Sequence, residues 1–462
     1  MPNLLFILTD DQRFDTIRAL GQPHIQTPTL DALAARGTAC THAYIPGGSC
    51  PAVCMPSRAM LNTGRSLYRI EAQGQNIPTD HTTMGEAFRA AGYHTYAIGK
   101  WHNGRASLAR SFCDGDEIFF GGMEDHWNVP AYHFDFSGKY DATCAVVRDP
   151  WHTNKVEQRA CDHITAGKHS TDLFADAAVR FLERHRGPQP FLCYLAFMAP
   201  HDPRSMPRQY LDRYDPERLP LPPNFAGAHP FNNGELHIRD EQLEAWPRTP
   251  EAIRRHLAEY YAMISHLDAA IGRVLAALAR AGHADDTVIV VTGDNGLALG
   301  QHGLMGKQSC YEHSVHVPLL LAGPGVPRGV RRDQFCYLYD LFPTVCDLAG
   351  VPVPASVEGR SLAPVLADPA APGRETLHFA YRHLQRAVRH RQWKLIEYVV
   401  EGRRTTQLFD LERDPWETHN LAADAACAAP LAALRRELRC WPDDLGDTQD
   451  GQGKAFWAGY GG

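Results

Sequence analysis

Short, mostly apolar runs alternate with segments of helical periodicity through the first two thirds of the chain. Predicted strands cover residues 4–9, 93–98, 191–197 and 287–291, and predicted helices cover residues 27–35, 83–91, 170–185 and 250–282. Thr27 is a capping residue for the first helix, which ends before Gly37, and Gly92 ends the second. This alternation predicts an α/β fold with a large mixed, mostly parallel sheet that helices cover on both faces.

Three further stretches differ from these segments in composition and in the length of their predicted elements. Residues 105–167 and 200–250 are rich in Pro, Gly, Asn and aromatic residues, and we expect them to form long loops over a functional site. After Pro364, residues 387–389, 393–396 and 407–410 are predicted short strands, followed by a helix over residues 429–439. The sequence therefore predicts a catalytic domain over residues 1–364 and a small C-terminal α+β subdomain, with an antiparallel sheet, over residues 365–462.

Composition and net charge argue against nucleic acid and membranes as partners. A chain of 462 residues with 44% hydrophobic content is long enough to bury a sizeable core, and its net charge of −7 has no basic surplus for nucleic acid. We read no bilayer-spanning run of about 20 apolar residues and no signal peptide, so we expect no membrane partner. The expected location is the cytoplasm, or the periplasm or exterior if a leader is removed. The sequence predicts no particular oligomeric state.

The twelve cysteines are scattered without a framework spacing, which favours a reducing compartment in which most remain thiols. Cys50 and Cys54 are separated by three residues, a spacing that also occurs in zinc sites and disulfides. No second pair with matching spacing follows them. Most of the cysteines are therefore expected to fill the core.

Two polar pairs follow predicted strands directly. Asp10 and Asp11 come after residues 4–9, and Asp294 and Asn295 come after residues 287–291. Ligands of open α/β sheets bind at the carboxyl ends of strands, so these side chains are predicted to converge on a site for Ca²⁺ or Mg²⁺. Taken singly, each pair has another reading: the first caps a helix, and the second forms a tight turn.

Five motifs occur in an order that identifies a family resemblance. They are Cys54-Met55-Pro56-Ser57-Arg58, then residues 92–100 followed by Trp101-His102, then Pro200-His201-Asp202, Asp294-Asn295-Gly296 and Gly306-Lys307. With these motifs the chain resembles the type I sulfatases of the alkaline phosphatase-like superfamily, from Asn3 to about Asn420. The ordered set is far more specific than the cysteine motif alone.

The resemblance implies a modified cysteine. Cys54 would be oxidised to formylglycine by a formylglycine-generating maturation enzyme, and the hydrated aldehyde would be held on the metal with Asp10, Asp11, Asp294 and Asn295. One hydroxyl of the hydrate would attack sulfur, and the second would release sulfate and restore the aldehyde.

The resemblance also implies roles for five other side chains. Arg58 would hold the hydrate, while Lys100 and Lys307 would face the sulfate oxygens and offset the charge that develops on them. His102 would take the proton that lets sulfate depart, and His201 would protonate the leaving alcohol. Without the motifs, each of these residues would be read as an ordinary buried or surface polar group.

The sequence gives weaker indications of a role in the site for some residues close to these motifs. His302 and His313 flank the Lys307 segment and are candidate pocket residues. Asn103 departs from the leucine that many relatives carry, which affects local packing. The aromatic pairs His126-Trp127 and Tyr132-His133 are either stacking groups for a ring of the substrate or anchors of the loop.

The predicted activity is hydrolysis of a sulfate monoester to an alcohol and inorganic sulfate, with a sulfated carbohydrate as the expected substrate. One alternative is a phosphodiester or phosphonate monoester hydrolase that uses the same nucleophile. Another is a catalytically silent, calcium-dependent module that binds sulfated glycans.

Overall fold

An eight-stranded mixed sheet lies at the centre of the computed structural model, which describes residues 1–440 and 445–461. Its strands are β1 (Asn3–Thr9), β2 (Thr38–Cys40), β3 (His94–Lys100), β4 (Asp114–Phe119), β5 (Phe191–Ala196), β6 (Thr287–Gly293), β7 (Leu319–Ala322) and β8 (Val330–Arg332). Their spatial order is β8-β2-β7-β6-β1-β5-β3-β4. The run from β6 to β4 is parallel, whereas β7 is antiparallel to both its neighbours, so the predicted mixed sheet is confirmed.

Helices cover both faces of this sheet. The main helices are α1 (Pro28–Arg36), α2 (Cys54–Thr63), α3 (Met84–Ala90), α4 (Arg105–Ser111), α5 (Ser170–Arg184), α6 (Pro250–Arg280), α7 (Leu341–Ala349), α8 (Ala428–Cys440) and α9 (Gly451–Tyr460). Leu5 and Ile7 of β1 pack into a core with α1, α5 and α6. Phe6, between them, packs into the opposite core with α2, α3 and α7, because successive strand side chains point to opposite faces.

The predicted helices and strands are present, with small shifts at their ends. Thr83 forms a reciprocal capping box with Glu86 at the start of α3. By length and composition α6 would also suffice to cross a membrane, a property that our reading of the sequence missed. Two thirds of its most apolar window is buried inside the protein, where it packs against α1 and α5.

The two irregular stretches contain more structure than the sequence predicts. Residues 105–167 include α4 and the edge strand β4, which contains three acidic residues and whose outer side is bridged only at Ile118, by Tyr132, within the described residues. They also contain the short strands Pro130–Ala131, Thr143–Val146, Glu157–Ala160 and His163–Ile164. Residues 200–250 hold the short helix Arg208–Leu211 and are otherwise mainly turns.

The C-terminal part forms the predicted antiparallel sheet. Its strands are β9 (Thr376–Tyr381), β10 (Gln385–His390), β11 (Trp393–Val400) and β12 (Arg403–Asp410). A fifth strand, Gly47–Gly48, comes from the catalytic part and pairs in parallel with β9. The C-terminal sheet therefore holds the segment that leads into Cys54.

The remaining short elements connect these layers. They are the strands Ala43–Tyr44, His316–Val317 and Cys336–Tyr337, which form a small sheet, and the helices Glu312–Val315 and Ala363–Ala367. All twelve cysteines carry free thiols, so Cys50 and Cys54 form no disulfide. Among the described residues, the potential ligands grouped with Cys54 are Asp10 and Asp294, and Cys50 is not one of them.

Candidate active site

The carboxyl ends of β1 and β6 bring the predicted metal ligands together. Asp10, Asp11, Asp294 and Asn295 are all buried. The Asp11 amide donates a hydrogen bond to Asp294 Oδ1 over 3.1 Å, and Asn295 Nδ2 donates to Asp11 Oδ1 over 2.6 Å. Asp11 has a φ of 63°, a left-handed conformation that non-glycine residues adopt rarely and mainly where function requires it.

Cys54 lies beside these carboxylates at the first residue of α2. Its Sγ is 3.6 Å from Lys100 Nζ and 3.5 Å from His102 Nδ1, and it lies within 4.8 Å of carboxylate oxygens of Asp10 and Asp294. Burial raises the pKa of the Cys54 thiol to about 12, despite the nearby Lys100. Burial therefore disfavours the thiolate form of an unmodified Cys54.

Arg58 joins the carboxyl ends of β1, β3 and β6 through hydrogen bonds. Its guanidinium donates to Asp294 Oδ2 over 2.7 Å, to the Lys100 carbonyl over 2.7 Å and to Asp10 Oδ2 over 3.3 Å. Ser57, one residue earlier, donates to the Asp294 carbonyl over 2.5 Å. These hydrogen bonds show that Arg58 positions the carboxylates at the strand ends, directly beside Cys54.

Two lysines complete the charged cluster. Lys307 Nζ donates to Asp11 Oδ1 over 2.5 Å, and Lys100 Nζ donates to Asp10 and to the Gly122 carbonyl. Gly99, before Lys100, has a φ of +84°, and a Cβ there would lie 2.0 Å from the Ala196 carbonyl oxygen. Only glycine therefore lets β3 pack against β5 closely enough to place Lys100.

The buried charges of the cluster balance one another. Three carboxylates, Asp10, Asp11 and Asp294, face three cations, Arg58, Lys100 and Lys307. Burial raises the pKa of Asp11 to about 7 and that of Asp294 to about 6, and the charge of Asp10 adds to both shifts. With all six side chains ionised, the cluster thus has no net charge to attract an anion, whereas a bound divalent cation would leave a surplus of two positive charges.

A divalent cation fits the orphaned oxygens of this cluster. Asp10 Oδ1 and Asn295 Oδ1 are buried and have no hydrogen-bond partner. An unpaired buried oxygen is costly, and carboxylate and amide oxygens are the ligands that hard divalent cations prefer. The four ligands Asp10, Asp11, Asp294 and Asn295 therefore suit such an ion.

Both candidate acid–base histidines are held in the neutral form. Burial, with Lys100, lowers the pKa of His102 to about 2, and burial, with Lys307, lowers that of His201 to about 4. His201 Nδ1 lies 2.8 Å from the Asp202 carbonyl oxygen, which only accepts, so Nδ1 carries the proton. Its Nε2 lies 3.6 Å from Asp11 Oδ2, on the side of the carboxylate cluster.

A cavity of about 230 Å³ opens over Cys54. Lys307, His102 and His201 line it, and both irregular stretches contribute to its wall, through Gly122-Met123 and residues 238–240. A larger cavity of about 560 Å³ lies elsewhere and has none of the predicted site residues in its lining. The loops thus lie over the site, as the sequence predicts.

Several weaker candidates lie outside this cavity. The ring of His302 stacks on Tyr311 at 3.9 Å, and His313 packs against the same tyrosine. His126 is a buried anchor, because its Nε2 lies 3.0 Å from the His201 carbonyl oxygen and its Nδ1 lies 2.6 Å from Ser170 Oγ. His302, His313 and His126 are therefore packing or anchoring groups.

Asn103, whose departure from leucine the sequence analysis associates with local packing, donates to the Met55 carbonyl over 2.9 Å and so ties the loop after β3 to α2. Three positions in the cavity lining escaped the sequence analysis. Arg239, Asp240 and Gln308 line the cavity without belonging to any motif that we recognised. The sequence offers one indication for Arg239 and Asp240, which are charged residues inside a loop that is predicted to lie over the site. Gln308 directly follows Lys307 of the last motif.

Comparison with known proteins agrees with this geometry. The family model described as sulfatase matches residues 2–351, and the model described as N-sulphoglucosamine sulphohydrolase, C-terminal, matches residues 300–442. An arylsulfatase of Clostridium perfringens is 29% identical over 471 residues, which cover 95% of this chain and 93% of that relative.

Solved structures share the fold over nearly the whole length. One, described as a complex with its substrate D-glucosamine-2-N,6-O-disulfate, has a TM-score of 0.74 at 23% identity and covers 96% of this chain and 98% of its own. The phosphonate monoester hydrolase of Silicibacter pomeroyi has a TM-score of 0.73 at 25% identity, with 96% of each chain covered. This chain belongs to the sulfatase family, of alkaline phosphatase-like fold, and is a sulfate ester hydrolase.

Proposed function

We propose that the nucleophile of this sulfatase is a formylglycine made from Cys54. The observation that carries the proposal is the placement of Cys54, whose Sγ lies 3.5 Å from His102 Nδ1, 3.6 Å from Lys100 Nζ and within 4.8 Å of carboxylate oxygens of Asp10 and Asp294. A hydroxyl group at this position would lie among the cations and metal ligands that activate a nucleophile. The hydrate of formylglycine supplies two hydroxyl groups, one for attack and one for release of sulfate.

The side chains around residue 54 then have separate roles. Lys307 lies in the cavity wall and Lys100 lies 3.6 Å from Cys54 Sγ, so both are placed to offset charge on the sulfate oxygens. His102, neutral and 3.5 Å from Sγ, accepts a proton from the group at residue 54. His201 presents Nε2 and protonates the leaving oxygen once the anionic substrate raises its proton affinity. Arg58 positions Asp10 and Asp294.

Ca²⁺ is the proposed ion, with Mg²⁺ as the alternative. Asp10, Asp11, Asp294, Asn295 and the modified residue 54 would hold it, and it would supply positive charge that acidifies a bound hydroxyl and attracts the substrate. The all-oxygen ligand set supports a hard cation and disfavours zinc.

The proposed substrate is a small sulfated saccharide. Support comes from the cavity lining, which combines the polar side chains of Arg239, Asp240 and Gln308 with apolar ones, and from the related structure whose described substrate is a disulfated glucosamine. A formylglycine-generating enzyme is the proposed maturation partner. We also propose a cytoplasmic location, which the twelve free thiols support.

Peptide mass spectrometry across residue 54 tests the nucleophile. The protein is co-expressed with a formylglycine-generating enzyme, and turnover of 4-nitrophenyl sulfate is measured in parallel. The aldehyde is expected at residue 54, with activity lost in Cys54→Ala and kept in the matched control Cys50→Ala. An intact thiol in an active enzyme would refute the proposal, and an intact thiol without turnover would favour a silent binding module.

Phosphorus esters are the second candidate substrates. The similarity to a phosphonate monoester hydrolase over 96% of both chains favours this alternative. The kcat/KM values for 4-nitrophenyl sulfate and for matched phosphate and phosphonate monoesters decide between them. The sulfate ester is expected to be turned over fastest.

A further inference from the structure

One wall of the cavity over Cys54 contains polar side chains that the reaction itself does not use. Residues 238–240 of the second irregular stretch form this wall together with Gln308, and its polar side chains are those of Arg239, Asp240 and Gln308. The side chain of Arg239 is 47% exposed there, whereas that of Asp240 is largely buried. An arginine that faces the space beside the leaving-group acid is in position to contact the alcohol part of a substrate.

Arg239 has two N–H groups to spare. Its Nη1 donates to Asp202 Oδ1 and to Asp240 Oδ1, each over 3.0 Å, and its Nη2 donates to Asp202 Oδ2. A guanidinium carries five N–H donors, and in the described part of the chain these three bonds are the ones Arg239 makes. The donors that remain, on Nε and Nη2, lie parallel on one edge of the plane and form a two-pronged fork.

The fork is held rigidly and is linked to the catalytic groups. Asp240 Oδ2 accepts from Gln308 Nε2 over 2.6 Å, and Gln308 Oε1 accepts from the Lys307 amide over 2.8 Å. At the other end, Asp202 Oδ1 lies 3.3 Å from His201 Nδ1. The wall therefore connects the leaving-group acid with the Lys307 segment, and its geometry is set before substrate binds.

The local charge favours neutral oxygens over a second anion. Arg239 is already paired with two carboxylates, Asp202 and Asp240. Lys307, in the same cavity, is bonded to Asp11. A carboxylate or second sulfate at the fork would lie next to both acids, whereas hydroxyl groups can accept from Arg239 and donate to Asp240.

We propose that Arg239, with Asp240, binds a pair of adjacent uncharged hydroxyl groups on the alcohol part of the substrate. This inference rests on the proposed function and deepens it. The preferred substrate is a sulfated sugar with a free hydroxyl pair near the sulfated carbon and no second charged group there. Met123 and Ile238, also in the wall, give the apolar contact that one face of a sugar ring requires.

The test compares three esters with the formylglycine form of the enzyme. They are 4-nitrophenyl sulfate, a panel of neutral monosaccharide monosulfates, and the same sugars with the free hydroxyls methylated. Methylation is expected to lower kcat/KM by about tenfold or more in the wild type, because a site built for hydroxyl groups rejects analogues that lack them. Arg239→Lys, which keeps the charge but removes the fork, is expected to abolish this sensitivity.

The outcomes separate three explanations. If Arg239→Lys lowers kcat/KM equally for all three esters and leaves the methylation effect intact, Arg239 acts only through Asp202 and His201, and the proposal is overturned. Preference for disulfated or uronate-containing sugars that Arg239→Lys removes would also overturn it. Arg208→Lys, an exposed arginine paired with Asp212, is the matched control. Absence of turnover on 4-nitrophenyl sulfate would instead count against the proposed function.

Discussion

Replacing Lys394 with methionine tests what joins the C-terminal sheet to the active site. Lys394, in β11, is buried, and its Nζ lies 2.8 Å from Glu312 Oε1 and 2.8 Å from Glu417 Oε1. Glu417 also accepts the Glu312 amide over 2.9 Å. Glu312 begins a short helix five residues after Lys307, so this ion cluster connects the C-terminal sheet to the Lys307 segment.

The expected loss follows from these distances. Each contact at 2.8 Å is worth about 6 kcal/mol of Coulomb attraction at an effective dielectric constant of about 20, and desolvation of the three ions offsets most of the total. Removing one partner of a buried pair costs about 3–5 kcal/mol because the remaining charges stay buried. Methionine keeps an apolar side chain of similar length, so the loss of stability can be attributed to removal of the charge.

Hydrogen exchange measured by mass spectrometry shows where in the chain this stability is lost. Peptides from β11 and from the segment after Lys307 are expected to exchange about 100 to 5,000 times faster in Lys394→Met, since each 1.4 kcal/mol is a factor of ten. Adding Glu312→Gln and Glu417→Gln should recover part of the protection. An increase of less than threefold at pH 7 would refute the reasoning.

The pH dependence gives an independent check. Burial opposes ionisation of Glu312, but Lys394, with a smaller contribution from His316, outweighs it and holds the pKa at about 2, below the ordinary value of 4.5. This stabilisation is fully present above pH 4.5 and is lost as the pH falls through about 2. Without Lys394, burial raises the carboxyl pKa values, so the variant regains stability on acidification. Its deficit should be smaller at pH 5 than at pH 7.

Three further predictions concern the site and its support. His201→Asn is expected to lower kcat by about 10²–10⁴ on alkyl and sugar sulfates and much less on 4-nitrophenyl sulfate, whose leaving group needs no proton; equal losses would contradict the acid role. Chelation should lower the thermal midpoint, and Ca²⁺ at 100 times its Kd should restore about 2.7 kcal/mol, whereas an unchanged midpoint would argue against the metal site. Thr83→Ala, which removes the capping box of α3, should cost about 1 kcal/mol in unfolding free energy while kcat/KM stays unchanged.

The difference between what was predicted and what was missed follows from the range of the interactions. The strands β1, β3, β5 and β6 and the helices α1, α3, α5 and α6 were predictable because apolar periodicity reports burial locally. The short strands β2, β7 and β8 were not predicted, because three or four residues are too few to show a period. The edge strand β4 was missed because its acidic residues have the composition of a loop, and its pairing depends on the distant β3. The pairing of Gly47–Gly48 with β9 joins segments more than 300 residues apart, and two glycines carry no pattern that predicts it.

The amino-acid sequence by itself determined the parallel strands β1, β3, β5 and β6, the carboxylates that follow β1 and β6, and the ordered motifs, because each depends on a strand and the residues directly after it. Only the tertiary structure decided that Arg58 bonds the strand ends together and that Arg239 lies in the cavity lining, bonded to Asp202 and Asp240. The physical reason is that a side chain's role depends on its partners. Those partners come from strands and loops that the chain brings together only when it folds.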